Sequence, residues 1–495
     1  MSALQKTPSL IFEKGVPGRR AVTLPNEKAR LKAQDYLPQS LLRKEPAALP
    51  ELSELDVVRH FTALSQLNYS IDTQFYPLGS CTMKYNPKVN NWVAALPGFA
   101  NLHPYQPAQS AQGLLQLLHE LEQALCEICG MAAFSLQPAA GAHGELSGVL
   151  MARAYHSKNG NPRKRVIVPD SAHGTNPATA AICGYEVTEI PSAPDGRVDL
   201  QALKAALDED VAVFMLTNPN TLGLFEKNIL QIAELVHSVG ALLYLDGANL
   251  NALLGLTRPG DMGFDIVHVN LHKTFSTPHG GGGPGAGPVG VTKALEPFLP
   301  VPRLEKRNSG FEWNGSQPES IGRVRSFYGN AGVLVRAYAY IRALGGEGLR
   351  AVSENAILNA NYLKTLLERL GLQAAGSGAC MHEFVVSLSA LKDLGINALD
   401  VAKRLLDYGF HAPTIYFPLI VPEAFMLEPT ETESKQTLDA FALALKQILK
   451  EARTQPELLH EAPHSTPIGR MDEVTAARKP ELSWRSGIAS GAYAC

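Results

Sequence analysis

Two stretches of sequence decide the fold: Ala241-Leu-Leu-Tyr-Leu-Asp246-Gly-Ala-Asn and Asp265-Ile-Val-His-Val-Asn-Leu-His-Lys273-Thr-Phe. Each is a short apolar run that ends in a polar cluster. Similar runs begin at Arg165 and Val211, and helical patterns separate the four. Continuous apolar strands that alternate with helices are typical of a mostly parallel sheet covered on both faces, and ligands bind such sheets at the carboxyl ends of the strands. The sequence therefore predicts an α/β fold with a site at one edge of its sheet.

Composition and charge narrow the class of protein. Of the 495 residues, 45% are apolar and 18% are charged, and 44 Lys and Arg against 47 Asp and Glu leave a net charge of −3. Such a chain folds, and it lacks the basic surplus that binding to a nucleic acid requires. It has no apolar run of the ~18 residues that span a bilayer and no apolar segment typical of a secretory signal. We therefore expect a cytoplasmic protein.

The six cysteines do not follow the pattern of a disulfide framework or of a zinc site. Cys126 and Cys129 form a Cys-x-x-Cys, but they lie in an apolar helical pattern without a second pair. We interpret them as small buried apolar residues, and we predict no metal site. Cys81 and Cys495 are candidates for exposed thiols, and a redox link between them is the less favoured interpretation.

The pattern along the chain predicts two domains between two extended termini. Two helical stretches, 331–344 and 349–370, connect the domains. The segment 76–86 is a loop rich in turn-forming and aromatic residues, and loops of this kind often carry sites. The predicted segments are an N-terminal arm with this loop (1–110), a large domain (111–330), a small C-terminal α+β domain (331–455) and an extended tail (456–495).

Polar clusters at the strand ends are expected to converge on one ligand. An Asp that ends a strand is often a helix cap, and a loop Lys is usually solvated, but Asp246 and Lys273 together suggest more. A lysine that forms a Schiff base and a carboxylate that keeps a pyridine nitrogen protonated are the two anchors of a pyridoxal-phosphate site. In this interpretation, His173 stacks over the ring and Asn218 donates a hydrogen bond to its phenolate oxygen.

The segment Gln137-Pro-Ala-Ala-Gly-Ala-His-Gly-Glu145 opens a helical pattern. Free N–H groups and the helix dipole at such a start hold phosphates, so we assign the phosphate to Gly141, Ala142 and His143. The glycine-rich run 279–287 is not a nucleotide P-loop, because Lys273 precedes the glycines instead of following them. His272 is a phosphate contact, an acid/base group or a core histidine.

Four longer motifs carry a family resemblance. They are Gln137 to Glu145 as quoted, Asp170-Ser-Ala-His-Gly-Thr-Asn-Pro-Ala, Asn270-Leu-His-Lys-Thr-Phe and Met426-Leu-Glu-Pro-Thr-Glu-Thr-Glu-Ser. They resemble the glycine decarboxylase, or P-protein, of the glycine cleavage system, and the resemblance extends from about Tyr76 to Pro480.

The resemblance implies a fold-type I pyridoxal-phosphate enzyme, a glycine dehydrogenase (aminomethyl-transferring). Such an enzyme decarboxylates glycine and transfers the aminomethyl group to the lipoyl arm of the H-protein. The chain resembles subunit 2, the β subunit of a two-subunit form, which implies subunit 1 (α) as a partner, with two copies of each. Lys273, Asp246 and His173 are then catalytic, with pyridoxal 5'-phosphate covalently bound to Lys273, and Asn218 also matches a cofactor position.

Two alternatives stay open. One is another fold-type I enzyme, such as a different amino-acid decarboxylase or a hydroxymethyltransferase; the long motifs outside the cofactor site argue against it. The other is a non-catalytic scaffold that binds a lipoyl carrier, which the presence of Lys273 disfavours.

The cation that would bind the glycine carboxylate is not assigned; the candidates are Arg258, Arg323 and Arg325. The 280–287 segment either admits a lipoyl arm or only shapes the lysine loop. His382-Glu383 and the segment 411–416 are further candidate contacts from the small domain.

Overall fold

The structure, a computed structural model, describes residues 8–21, 32–45, 47, 49–280, 285–376, 378–480 and 482. Gly281 to Gly283 of the glycine-rich run and Cys495 therefore lie outside the described residues. The chain divides into two compact units, residues 74–462 and residues 1–73 with 463–495. Within the described ranges, no helix is both long enough and apolar enough to cross a membrane.

The larger unit is built on a seven-stranded sheet. Its strands are β1 (Ala133–Ser135), β2 (Arg165–Pro169), β3 (Glu186–Ile190), β4 (Val211–Thr217), β5 (Leu242–Gly247), β6 (Ile266–Val269) and β7 (Val289–Val291). They lie in the order β1-β7-β6-β5-β4-β2-β3. The pairings from β6 to β3 are all parallel, whereas β7 is antiparallel to both of its neighbours. The predicted mostly parallel sheet is confirmed.

Alternate residues of the central strands enter two different cores. Leu243 and Leu245 of β5 pack in the core on one face of the sheet, and Leu242 and Tyr244 pack in the core on the other. Successive side chains of a strand point to opposite faces, so a strand covered on both sides must be apolar throughout. This is why uninterrupted apolar runs mark the centre of the sheet.

Helices make up much of the remainder of both units. They are α1 (Glu54–Gln66), α2 (Lys88–Ala94), α3 (Pro97–Ala100), α4 (Gln112–Cys129), α5 (Gly141–Lys158), α6 (Thr175–Ile182), α7 (Leu200–Ala206), α8 (Ile229–Ser238), α9 (Ala331–Arg369), α10 (Ala398–Asp407), α11 (Lys435–Thr454), α12 (Glu457–His460) and α13 (Glu473–Arg478). Gly345 interrupts α9 with a φ of 62°. The break lies between the two helical stretches that the sequence predicts. In α4, Cys129 is buried and Cys126 is half-buried, and burial raises the pKa of both thiols.

A second, antiparallel sheet forms the C-terminal part of the larger unit. Its strands are β10 (Gln373–Ala374), β11 (Phe384–Ser387), β12 (Thr414–Ile415) and β13 (Ala424–Leu427), in the order β10-β11-β13-β12; a separate hairpin pairs β8 (Arg303–Arg307) with β9 (Gly310–Asn314). Helices α10 and α11 pack on this sheet around their own core. Side-chain caps begin both helices: Asn397 accepts a hydrogen bond from the Asp400 N–H, and Ser434 accepts one from the Thr437 N–H.

The loop before α2 is attached to this second sheet. Leu78 forms an antiparallel bridge with Leu427, and Thr414 Oγ1 donates to the Gly79 carbonyl at 2.8 Å. A Cβ at Gly79 would lie 2.3 Å from Met426 Cγ, so only glycine allows this close approach. The attachment carries residues 80–82 to the edge of the main sheet.

The predicted segment boundaries at 110, 330 and 455 stay predictions.

In the smaller unit, helix α1 begins with a capping box. Ser53 Oγ accepts a hydrogen bond from the Asp56 N–H, and the Asp56 carboxylate accepts one from the Ser53 N–H. Arg19 also pairs with Asp56 at 2.9 Å. The helix start is therefore fixed by its own capping box and by one ion pair to a residue 37 positions earlier.

Candidate active site

A cavity of about 620 Å³ opens where β4, β5 and β6 end. Its wall combines the sheet edge, the start of α5, the loop at Ser80 and part of the second sheet. The predicted site residues that line it are Gly141, Ala142, His173, Asp246, His272 and Lys273. The strand ends therefore do converge on one concave site.

The Asp246 carboxylate is buried near the end of β5. Its Oδ2 accepts a hydrogen bond from Asn176 Nδ2 at 3.1 Å, and its Oδ1 accepts one from the Ala248 N–H at 3.1 Å. His268 Nε2 lies 3.3 Å from Oδ1. Burial alone would raise the pKa of Asp246, but His268 and the hydrogen bonds outweigh it and hold this pKa below its usual value. Asp246 therefore offers a negative charge to the cavity.

His268 connects Asp246 to a buried polar network. Its Nδ1 lies 2.7 Å from Tyr244 Oη. The nearest polar atoms of Glu145, Asp246 and His268 all lie within 4.8 Å of one another. Burial, followed by repulsion from Asp246, raises the pKa of Glu145 to about 7. One carboxylate thus stays ionised while its neighbour holds a proton up to near neutral pH.

Lys273 lies in the loop that follows β6. Its Nζ donates a hydrogen bond to the Ser80 carbonyl at 2.7 Å. The loop is fixed on both sides of the lysine: the Leu250 N–H donates to Thr274 Oγ1 at 2.8 Å, and the Ala286 N–H donates to His272 Nδ1 at 3.4 Å. The amine is therefore placed at the cavity wall by contacts to three separate segments.

The start of α5 forms another part of the wall. Both the His143 and the Gly144 N–H groups donate to the Ala140 carbonyl, at 3.1 and 3.0 Å. The Gly141 and Ala142 N–H groups have no backbone acceptor within the described ranges, so they can bind an anion. A Cβ at Gly141 would lie 2.3 Å from Asn270 Oδ1, so glycine is required at this close contact.

His143 is not brought to the cavity. Its Nδ1 accepts a hydrogen bond from the Ala139 N–H at 3.2 Å, and it does not belong to the lining residues. The backbone N–H of His143 already donates to the Ala140 carbonyl within the first turn, so it is not available to a phosphate. The predicted phosphate contact therefore reduces to Gly141 and Ala142.

The other two predicted histidines do line the cavity. His173 is exposed at its edge, with Nδ1 2.9 Å from Thr175 Oγ1. Desolvation lowers the pKa of His173, and the Asp246 carboxylate opposes this. His272 is buried, and burial, with His279 and Lys273 nearby, lowers its pKa to about 3. The His272 ring is therefore neutral and does not supply a cation.

Asn218 is also not brought to the cavity, although its neighbours Thr217 and Pro219 are. Its Oδ1 accepts a hydrogen bond from the Glu226 N–H at 2.9 Å, and its Nδ2 lies 3.7 Å from Met262 Sδ. Successive side chains of a strand point to opposite faces, so the Asn218 side chain points away from the face that Thr217 presents to the cavity. The predicted hydrogen bond from Asn218 to a ring oxygen is therefore not available in this arrangement.

The second sheet contributes a buried acidic wall. His382 and Glu383 line the cavity, and Glu428 lies next to them, with polar atoms of all three within 4.8 Å. Both ring nitrogens of His382 are buried without a hydrogen-bond partner among the described residues, and burial lowers the pKa of His382 to about 3. Burial raises the pKa of Glu428 to about 7 and raises that of Glu383 well above its usual value. At neutral pH this wall therefore carries less negative charge than two fully ionised carboxylates would.

Comparison with known proteins identifies the family. A family model described as "Glycine cleavage system P-protein" matches residues 29–303, and one described as "Glycine dehydrogenase, C-terminal domain" matches residues 352–464. The chain belongs to the P-protein family of the glycine cleavage system.

Individual members of the P-protein family match nearly the full length. A protein of Caldanaerobacter subterraneus subsp. tengcongensis named "Probable glycine dehydrogenase (decarboxylating) subunit 2" is 60% identical over 97% of this chain and 99% of its own. One of the same name from Listeria monocytogenes serotype 4b (strain F2365) is 55% identical over 98% of this chain and 100% of its own.

Solved structures agree on the fold. A crystal structure of glycine decarboxylase (P-protein) of the glycine cleavage system, in inhibitor-bound form, is 25% identical with a TM-score of 0.70, over 84% of this chain and 94% of that chain. A NifS-like protein, 15% identical over 76% of this chain and 99% of its own with a TM-score of 0.60, shares the fold alone. The predicted fold-type I class is confirmed.

The residues of this P-protein cavity fit pyridoxal phosphate. Lys273 offers an amine, Asp246 an ionised carboxylate, and the start of α5 two free N–H groups for a phosphate. Thr217 Oγ1 and Asn270 Oδ1 belong to lining residues and are buried without a hydrogen-bond partner within the described ranges. Buried polar atoms of this kind are paired in most proteins, so a polar ligand that satisfies them is expected here.

The candidate cations for a substrate carboxylate do not reach the cavity. Arg258 pairs with Asp261 at 2.8 Å, the Arg323 guanidinium lies 5.4 Å from the centre of the Tyr105 ring, and Arg325 donates to Asn330 at 3.0 Å. In the described part of the chain, none of these three arginines belongs to the lining residues.

The sequence motifs contain His268, Asn270, Glu428, Glu145 and Ser80, but the sequence alone assigned none of them an individual role. His268 carried a signal, since it is a histidine inside an apolar strand. Ser80 lies in the loop 76–86 and Glu428 in one of the four family motifs, but only the folding of distant segments brings these two residues beside Lys273.

Proposed function

We propose that the chain is the cofactor-bearing subunit 2 of a two-subunit glycine dehydrogenase of the glycine cleavage system. It decarboxylates glycine with pyridoxal 5'-phosphate bound covalently to Lys273, and the aminomethyl group passes to the lipoyl arm of the H-protein. The observation that carries the proposal is the position of the Lys273 amine and the ionised Asp246 carboxylate in one cavity of a P-protein fold.

Each part of the cavity has a role in this proposal. The cofactor supplies an electron sink for the loss of CO2 from the amino acid. Asp246 holds the positive charge on the ring nitrogen, and His268 and Asn176 keep Asp246 ionised and in place. The N–H groups of Gly141 and Ala142 hold the phosphate at the helix start.

His173 has a separate role at the edge of the cavity. It covers one face of the cofactor ring, and its lowered pKa keeps it neutral at pH 7. His272 packs beside Lys273 as a neutral ring.

Two partners belong to the proposal. The name of the relatives, subunit 2, supports a subunit 1 as the partner chain, and we propose two copies of each subunit in a heterotetramer. The lipoylated H-protein is the proposed acceptor. The cytoplasmic location stays a prediction from the sequence.

Glycine-dependent exchange of labelled CO2 tests the function. The chain is mixed with its subunit 1, pyridoxal phosphate and lipoylated H-protein, and exchange is compared with the Lys273→Ala variant. We expect exchange with the unaltered chain and none with the variant. Retained exchange in the variant would place the chemistry elsewhere, and full activity without subunit 1 would contradict the two-subunit form.

A further inference from the structure

The loop 80–82 has an unusual backbone next to Lys273. Ser80 and Thr82 have φ values of 65° and 48°, in the left-handed region that residues other than glycine rarely adopt. Two such residues within three positions persist only where surrounding contacts impose them. The contacts that do so here come from two buried carboxyl groups.

Glu383 and Glu428 hold the loop from the second sheet. Glu383 Oε2 accepts a hydrogen bond from the Ser80 N–H at 2.8 Å, and Glu428 Oε2 accepts one from the Thr82 N–H at 3.0 Å. Thr82 Oγ1 lies 2.9 Å from Glu428 Oε1, and Asn249 Nδ2 donates to the same oxygen at 2.8 Å. We call this pair of glutamates, Glu383 and Glu428, the carboxyl clamp.

The clamped loop is also the partner of the reactive lysine. The Ser80 carbonyl, which accepts the hydrogen bond from Lys273 Nζ, belongs to the same residue whose N–H is bonded to Glu383. Both glutamates are buried, with exposed fractions of 4% for Glu383 and 0% for Glu428. Burying two carboxyl groups is costly unless each is hydrogen-bonded, so these bonds to the loop account for their presence.

We propose that Glu383 and Glu428 are positioning residues, which fix the 80–82 loop so that the Ser80 carbonyl holds the Lys273 amine toward the cofactor aldehyde. This inference rests on the proposed function for the role of Lys273. Glu383 acts only as an acceptor toward Ser80, so a glutamine, which has a neutral amide of the same shape, can replace it. An alanine cannot replace it, because it has no acceptor for the Ser80 N–H.

The test compares three variants of the full chain without cofactor: Glu383→Ala, Glu383→Gln and Glu451→Ala. Glu451 is the control, because it is a buried carboxyl group of α11 that pairs with Arg404 at 2.9 Å and does not line the cavity. Amide hydrogen exchange is followed on a peptide that spans residues 78–84. The rate of reductive methylation of Lys273 is measured by mass spectrometry.

We expect Glu383→Ala to accelerate exchange in this peptide and methylation of Lys273 at least about fivefold, the change that loss of one buried hydrogen-bond partner produces. Glu383→Gln and Glu451→Ala should stay within about twofold of the unaltered chain. Unchanged rates in Glu383→Ala, or equal acceleration in the Gln and Ala variants, would overturn the proposal.

Thr82→Val is a second variant, used if Glu383→Ala does not fold. It removes the hydroxyl that faces Glu428 and keeps the shape of the side chain. We expect faster exchange in the same peptide and slower capture of added pyridoxal phosphate, followed as absorbance near ~420 nm. Unchanged exchange would overturn the clamp. If the unaltered chain captures no cofactor while the exchange results hold, the proposed function fails and the clamp stands.

Discussion

Replacing Asp246 with asparagine removes one charge from the centre of the site with little change in shape. The carboxylate is fixed by Asn176 and the Ala248 N–H, and it faces His268 at 3.3 Å. An asparagine keeps one acceptor oxygen, but it replaces the other with an NH2 group that faces a donor, either Asn176 Nδ2 or the Ala248 N–H. Under the proposed function, the ring nitrogen of the cofactor would then lose its negative partner.

The size of the effect follows from the burial of Asp246. The pKa of Asp246 lies below its usual value despite burial, so the charge is present at neutral pH. Removing one partner of a buried charge pair costs about 3–5 kcal/mol. At about 1.4 kcal/mol for each factor of ten, we expect Asp246→Asn to slow glycine-dependent CO2 exchange roughly 10²- to 10⁴-fold.

The matched control is Asp170→Asn. Asp170 also lies at the end of a strand, β2, but it accepts hydrogen bonds from Ser192 and does not line the cavity. Exchange of labelled CO2 is measured for both variants at saturating cofactor, with subunit 1 and lipoylated H-protein present. A loss below about tenfold for Asp246→Asn, or an equal loss for Asp170→Asn, would refute the reasoning.

Three further predictions concern stability and the inward position of Asn218, and urea unfolding of the cofactor-free chain measures each. The pKa of Glu145 is raised to about 7 from 4.5, so its contribution to the free energy of unfolding falls as the pH rises through this range. Glu145→Gln should therefore stabilise the chain by up to about 3 kcal/mol more at pH ~8 than at pH ~5. An equal effect of the substitution at both pH values would contradict this. Asn218→Ala should lower the free energy of unfolding by about 1–3 kcal/mol, because the Glu226 N–H loses its acceptor, while the bound cofactor's absorbance near ~420 nm stays unchanged; a shifted absorbance would place Asn218 at the ring. Leu245→Ala should cost about 2–5 kcal/mol at a fully buried site, whereas Leu230→Ala at a site 63% exposed should cost little, and similar costs would be inconsistent with the core described here.

The centre of the fold could be predicted because its strands are apolar on both faces. The sequence predicts strands from Arg165, Val211, Ala241 and Asp265, and the structure has β2, β4, β5 and β6 there. Strands β1 and β7 have three residues each, too few for any periodicity. Their antiparallel pairing depends on contacts between distant segments, which no local pattern records.

The site divides in the same way. Asp246 and Lys273 could be predicted because each follows a strand whose end must lie at the ligand-binding edge. Asn218 and His143 occupy the expected segments, but neither lines the cavity. The Asn218 side chain points to Glu226 and Met262, and the backbone N–H of His143 already donates to Ala140. Glu383 is among the candidate contacts that the sequence offers, but its hydrogen bond to the 80–82 loop could not be predicted from local pattern, since 303 residues separate it from Ser80.

The measurement that tests the central claim most directly is a map of the lysine that binds the cofactor. The purified chain is loaded with pyridoxal phosphate, reduced with borohydride and digested, and the modified peptide is sequenced by mass spectrometry. We predict an absorbance near ~420 nm that borohydride abolishes, with a single adduct on Lys273. A colourless chain, or an adduct on a different lysine, would contradict the site at the carboxyl ends of β4, β5 and β6.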